Sequence, residues 1–389
     1  MRQDINIMKI LLVDTGFSSL PIYKFLRQCT DEVWAIGNRA EDVIAKHAGK
    51  RWIKQDYSKI HDVAKIIDKF DFIVPGCTDV SMDTCVKITS NNKLLDSVQV
   101  NDILNRKSLF RSVCKKLDLP CPRLIDPEDL PLEGKFICKP VDSFSGRGVT
   151  IFEGKDIKQF EKAAEIARLS SPSSDFLIES YIEGQLYSCS GFIENESLTD
   201  HFFVREGCSA NPYAVDTSYV VEAMDKTTES VLVKAIEKLA EHLKLKDGLL
   251  HVQFILSDTG PMIIEATRRC PGDLYSLLIE RSTGFEYAAK YASYHLGKTF
   301  YATSKFSKPI VRHTVTADDV CIFDGLNLKK DILLRAFYPL SMLGSSLQPK
   351  QKDRAGILFC EAQNKDSVLN IYDYFMQRQI YDVTDPQLM

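Results

Sequence analysis

FICKPVDSFSGRGV, residues 136–149, decides how the rest of the chain is read. An apolar strand broken by one lysine, Lys139, runs through Pro140 into a loop of small residues and leaves as a second strand, GVTIFEG. Glycine at 146 and 148 lets the backbone approach a ligand closely, and successive amides in such a loop can form an anion-binding concavity. Ser143, Ser145 and Arg147 add hydroxyl and cationic donors. Because a strand follows the loop, neither the Walker A pattern nor the dinucleotide fingerprint is met, since both need a helix there. The stretch reads as a flap for phosphate. A ligand-free hairpin turn is the plainer alternative, and the local sequence leaves it open.

Upstream, from about Met8 to Thr89, short apolar runs (KILLVDTG, EVWAIGN, DFIVPGC) alternate with amphipathic segments. That alternation predicts βαβ units and a Rossmann-like parallel sheet. The turn after the first strand, DTGFSS, has one glycine where a dinucleotide site wants three, so a substrate role at the strand ends is expected instead. Apolar spacing over 101–117 predicts one helix, ended by Leu-Pro-Cys-Pro, and a second helix is expected near 156–169.

Downstream, HVQFIL and PMIIEAT flank SDTGP and predict a hairpin. A three-residue loop at 258–260 would put Gly260 in the left-handed position. This register sets Gln253 opposite Glu265 and His251 opposite Thr267 on one face, with Val252, Phe254, Ile264 and Ala266 on the other. His251 reads as a hydrogen-bonded structural histidine more than as a general base.

The 389 residues suffice for two or three domains. With 49 basic against 53 acidic side chains the formal charge is −4, so no global field recruits nucleic acid or an anionic membrane, and any basic site must be local. The eleven cysteines are odd in number, scattered and without a CxxC pair, which fits reduced thiols of a cytoplasmic protein. No apolar stretch approaches the roughly 18 residues of a membrane span, and no signal peptide is expected.

In this order the pieces resemble the ATP-grasp superfamily, in particular its carboxylate-amine ligase branch, which includes biotin carboxylase and the large chain of carbamoyl phosphate synthetase. The resemblance implies an α/β and α+β multidomain fold. Residues 1–105 would form the Rossmann-like domain and 106–300 an ATP-grasp domain of antiparallel sheets, with a lid at about 120–183 and a core at 184–300. Residues 301–389 would form a small C-terminal subdomain.

The resemblance also implies roles. Lys107 and Lys139 would reach the phosphates of ATP, with Ser143, Ser145, Gly146, Arg147 and Gly148 in the flap above them. Glu179, Tyr181 and Ile182 of the FLIESYIEG hinge would meet adenine. Where such proteins often carry a ribose-binding glutamate this chain has Leu186, and Glu183 is the substitute. For Mg²⁺, or Mn²⁺, the family usually offers two carboxylates and an asparagine; here Glu265, Gln253 and Thr267 stand there, a weaker set. Arg269 and Lys139 would act in catalysis, Arg269 by stabilising an anionic acyl phosphate. Arg281 and Arg205 are candidates for the acid substrate. The implied reaction joins a small-molecule acid to an amine through an acyl phosphate, in a protein that is often a homodimer. A kinase that stops at phosphoryl transfer, or a nucleotide-binding protein weakened by Gln253, remain the other readings.

Overall fold

The computed structural model describes residues 8–89, 93–142, 146–330, 332–364 and 366–384. Near the N-terminus the strands Ile10–Val13, Val33–Gly37, Trp52–Lys54 and Phe72–Pro75 form a parallel sheet in the order third, second, first, fourth. Helices cover both faces, which is why ILLV at 10–13 is apolar at every position and fully buried. The expected Rossmann-like sheet is present.

The lid is a four-stranded antiparallel sheet of Leu124–Ile125, Phe176–Ser180, Lys135–Pro140 and Thr150–Glu153. Helix Ile157–Ser170, capped by the Asp156 carboxylate on the Gln159 amide, covers one face. Its small residues Ala163 and Ala167 let it sit close over Phe136, Phe152 and Ile178.

An eight-stranded sheet carries the core. Its order runs from the hairpin strands Gly260–Thr267 and Gly248–Ser257 through Gln185–Glu194, Ser197–Gly207 and Thr217–Val220 to Ile310–Val315, Gly356–Glu361 and Leu333–Pro339. The last three strands come from the C-terminal residues, so the expected C-terminal subdomain shares a sheet with the core. Helix Lys226–Leu243 packs Leu232, Ile236 and Leu239 against Phe203, Val252 and Phe254 on one face of that sheet. Each such side chain contributes about 1.5–3 kcal/mol by leaving water. The opposite face is therefore free to carry polar groups.

Two expectations need correction. The single helix over 101–117 is two, Val98–Asn105 and Lys107–Lys116, because Arg106 adopts extended angles (φ −96°, ψ 111°) between them. The hairpin loop is two residues, Asp258 and Thr259, with Ser257 paired to Gly260. The shorter loop should have shifted every downstream pair, but Ile264 is an extra residue on its strand, a β-bulge that restores the register. Gln253 still faces Glu265 and His251 still faces Thr267, while Ile263, not Ile264, joins the core beside Val252, Phe254 and Ala266.

Candidate active site

A cavity of about 720 Å³ opens between the lid and the polar face of the large sheet. Period-two alternation places Ser188, Gln253 and Glu265 in one cross-strand row, with Val204 beyond Ser188 and Glu206 two residues further along the same face. His251 and Thr267 continue that face by two residues. The inferred register thus brings all three metal candidates, Glu265, Gln253 and Thr267, to the cavity wall.

At the lid end, Lys107, Lys139, Gly146 and Arg147 line the same space. The break at Arg106 makes Lys107 the first residue of its helix, with no acidic residue in the first turn. A helix N-terminus carries partial positive charge, so a lysine there is locally unfavourable and becomes favourable beside an external anion. Burial holds the Lys107 ammonium below its usual range, opposed by Glu265 and reinforced by Lys139.

Lys139 has a fixed partner. Its Nζ lies 2.7 Å from Oε2 of Glu179, whose Oε1 accepts from Nε of Arg111 at 2.7 Å. Glu179 is fully buried. Burial alone would raise its carboxyl, but Lys139 and Arg111 override it and hold the group below the ordinary carboxylate range. Glu179, expected at the adenine through its backbone, does not line the cavity, and its side chain anchors the lid lysine.

Arg111, which the sequence reading missed, also donates from Nη2 to the Ile264 carbonyl at 2.6 Å. The bulge frees that carbonyl, so the register correction and the lid anchor are one device. The available signal was spacing: Arg111 stands four residues after Lys107 on the same helix.

Arg269 lines the cavity and binds Asp79 in bidentate fashion, Nε to Oδ1 at 2.6 Å and Nη2 to Oδ2 at 3.1 Å. Burial would lower this guanidinium, but the Asp79 carboxylate overrides it and holds it above its ordinary value. Asp79 begins helix Asp79–Ile88, so this pair joins the end of the hairpin to the N-terminal domain. His251 is buried beside them with Nδ1 unpartnered among the described residues. Burial, with help from Arg269, pushes its pKa down to about 3, so it is neutral at pH 7.

The remaining expectations fall out differently. Ser143 and Ser145 lie outside the described residues. Gly148 takes φ 75° against Ser170, and Gly146 takes φ 69° with its α-hydrogen aimed at Tyr213. Tyr181 and Ile182 are half-buried and do not line the cavity; the Tyr181 amide donates to the Lys135 carbonyl. Glu183 is exposed and pairs with Lys135. Arg205 bonds Gln185, and Arg281 bonds the Tyr338 hydroxyl, both outside the cavity.

Besides Arg147 and Arg269, the arginines that line it are Arg312 and Arg354. Arg354 donates to Asp273 Oδ1 at 2.6 Å, and Arg312 to the Asp273 carbonyl at 3.0 Å and to Ser218 at 2.8 Å. The loop at 14–19 buttresses that turn, Ser18 Oγ accepting from the Asp273 amide at 3.0 Å. Glu206, also missed, is 2% exposed. Ser188 donates to its Oε1 at 2.7 Å and Gln253 Nε2 to its Oε2 at 2.6 Å. Burial pushes its carboxyl up to about 7 against those hydrogen bonds. Alternation along HFFVREG was the signal, since it separates Glu206 from Arg205 by face.

For a divalent metal the donor set fits. Glu265 is an exposed carboxylate on the wall, and Gln253, tied to Glu206 by its amide nitrogen, has its carbonyl oxygen left to offer. Among the described residues no three His, Cys, Asp or Glu side chains converge on one point. Mg²⁺ is commonly held by one or two carboxylates together with substrate phosphates, which suits this wall. No helix among the described residues is long and apolar enough to cross a membrane.

Comparison with known proteins gives a consistent result. Residues 132–276 match the ATP-grasp domain family. A phosphoribosylamine–glycine ligase of Methanocaldococcus jannaschii is 23% identical over 305 residues, covering 67% of each chain. The crystal structure of an L-amino acid ligase from Bacillus licheniformis superposes with a TM-score of 0.76 at 15% identity, covering 98% of this chain and 100% of that one. The biotin carboxylase domain of Hydrogenobacter thermophilus 2-oxoglutarate carboxylase, solved with MgADP and bicarbonate, gives 0.74 at 14% identity over 97% and 91%.

Proposed function

We propose that this ATP-grasp protein is an ATP-dependent ligase that joins a small-molecule carboxylic acid to an amine through an acyl phosphate, releasing ADP and phosphate. The observation that carries the reading is the arrangement of one cavity: Lys107, Lys139 and Arg147 at the lid end, and Glu265 and Gln253 on the sheet facing them with Arg269 just past the end of the strand. The relatives named above are ligases or a carboxylase by title, which supports the same class.

In this reading adenine lies against the apolar lining of Phe110, Ile137, Leu186 and Ile264, and the flap residues Gly146 and Arg147 cover the phosphates. Gly148 shapes the flap from outside the cavity wall. Lys107 and Lys139 neutralise the phosphate charge, and Glu179 and Arg111 keep Lys139 aimed. Tyr181, Ile182 and Glu183 hold the hinge strand and are not assigned to the nucleotide. Glu265 and Gln253, with Thr267 beside them, would hold Mg²⁺, which supplies charge neutralisation between phosphates when bound.

A carboxylate is a poor electrophile; as an acyl phosphate it is attacked by an amine to give an amide. Phosphoryl transfer needs positioning and charge neutralisation more than covalent help. Arg269, fixed by Asp79, faces the anionic intermediate. Arg312 takes the substrate-binding role expected of Arg281 and Arg205. Flap closure over the cavity keeps water from the intermediate.

The test is ADP release from pooled acids against pooled amines, with Glu265→Ala as the blank. Release that needs both an acid and an amine supports the ligase. Release with one substrate alone, leaving a stable phosphate ester, would make it a kinase, and ATP binding without turnover would overturn catalysis.

A further inference from the structure

We propose that Glu206 is the seat of a substrate ammonium group, so that the acid activated in this cavity is an α-amino acid. The inference rests on the ligase reading and names the substrate class of that site.

Four carboxylates line the cavity: Asp79, Glu206, Glu265 and Asp273. Asp79 holds Arg269 and Asp273 holds Arg354, while Glu265 is exposed. Glu206 is buried, and among the described residues no cation lies within ion-pair distance of it. Its two hydrogen-bond donors, the Ser188 hydroxyl and the Gln253 amide, are neutral. Glu179, equally buried, has two cations at 2.7 Å. A buried carboxylate is costly without a close cation, which is why burial pushes Glu206 up although Arg312 favours its charge from further off, and each oxygen keeps lone-pair capacity after one hydrogen bond. A ligand that brings an ammonium group, with its three donors, completes the site.

Position selects the kind of ligand. Glu206 is one hydrogen bond from Gln253, which faces Glu265 across the hairpin, where the terminal phosphate of ATP must lie. In an α-amino acid the nitrogen is about 2.5 Å from the carboxyl carbon, from the bond lengths and angle at Cα. An ammonium on Glu206 therefore delivers its own carboxylate into that row. Kept protonated by the carboxylate, the bound acid's own amino group has no lone pair and stays out of the reaction, so the attacking amine comes from the second substrate molecule.

The experiment measures equilibrium binding by calorimetry with the full chain, Mg²⁺ and a non-hydrolysable ATP analogue. The proteinogenic amino acids are tried singly. The tightest is then compared with its des-amino and 2-hydroxy analogues, as alanine with propionate and lactate. The expected result is a loss of 100-fold or more on removing the amino group, a gap that Glu206→Gln reduces below tenfold and Glu206→Asp largely keeps. Affinity for ADP without metal should stay within threefold in both variants, which shows that they are folded. Equal binding of the des-amino acid, or binding of other carboxylates but no amino acid, overturns the inference and leaves the ligase reading standing. Loss of Mg²⁺ affinity in Glu206→Gln with the amino-group preference intact also overturns it, making Glu206 a metal ligand. If the wild-type chain binds no nucleotide, the ligase reading fails first and this inference with it.

Discussion

Lys139 and Glu179 meet at 2.7 Å inside the lid, the lysine on one strand and the glutamate on its antiparallel neighbour. Glu179 pairs in register with Ile137, two residues before Lys139, so the two charged side chains are diagonal neighbours on one face. Arg111 closes the other side of the carboxylate and reaches the Ile264 carbonyl, tying lid, linking helix and hairpin to one buried anion.

Breaking that anchor should be expensive. Arg111→Ala leaves Glu179 with one cation, and removing one partner of a buried ion pair costs about 3–5 kcal/mol. Urea unfolding should show a loss of that order. Glu179→Gln should weaken ATP binding at least tenfold by releasing Lys139, although residue 179 does not line the cavity.

The same carboxyl sets an acid limb. Its pKa is lowered in the folded state from an ordinary value of 4.5. Its contribution is therefore fully present above 4.5 and is lost as pH falls through the lower, folded value. The stability of the wild-type chain should fall steeply below about pH 4.5. In Glu179→Gln the fall should be shallower, and an equal slope in both proteins would contradict the assignment.

Gly146 gives a test of the flap. A Cβ there would lie 2.0 Å from the Tyr213 Cβ, at a φ of 69° that L side chains rarely adopt. Gly134 also has a positive φ, of 100°, but open space around it. Both alanine variants carry about 1–3 kcal/mol of backbone strain. Only Gly146→Ala should also displace the flap tip and raise the KM for ATP tenfold or more.

Asp79 and Arg269 should act as a unit. Asp79→Asn removes the charge that fixes the guanidinium, and Arg269→Lys removes the bidentate fork. Each is expected to lower kcat for ADP release by 10–100-fold with the KM for ATP little changed, and the double variant should be no worse than the poorer single one. Additive losses would show that Arg269 works without Asp79.

The substrate arginines can be sorted by kinetics. Arg312→Lys should raise the KM of an organic substrate tenfold or more, whereas Arg281→Met and Arg205→Met should leave both organic substrates within threefold. A large effect at Arg281 would return the role to the residue first expected from sequence.

Sequence by itself determined the parallel sheet of the N-terminal domain, the strand–loop–strand around Lys139, and the row facing Gln253 to Glu265, because these follow from strand alternation and the local backbone demands of glycine. It reached the right row with a loop one residue too long, since the compensating bulge at Ile264 leaves no mark in a period-two pattern. Tertiary structure alone decided which charged side chains share a space. Arg205 and Glu206 are neighbours in the chain, yet opposite faces of one strand send the first out to Gln185 and the second into the cavity. Arg111 and Glu179 are 68 residues apart and Arg269 and Asp79 are 190 apart. Such pairs form because burial makes an unpartnered charge costly, and only the packed chain fixes which charges are buried together.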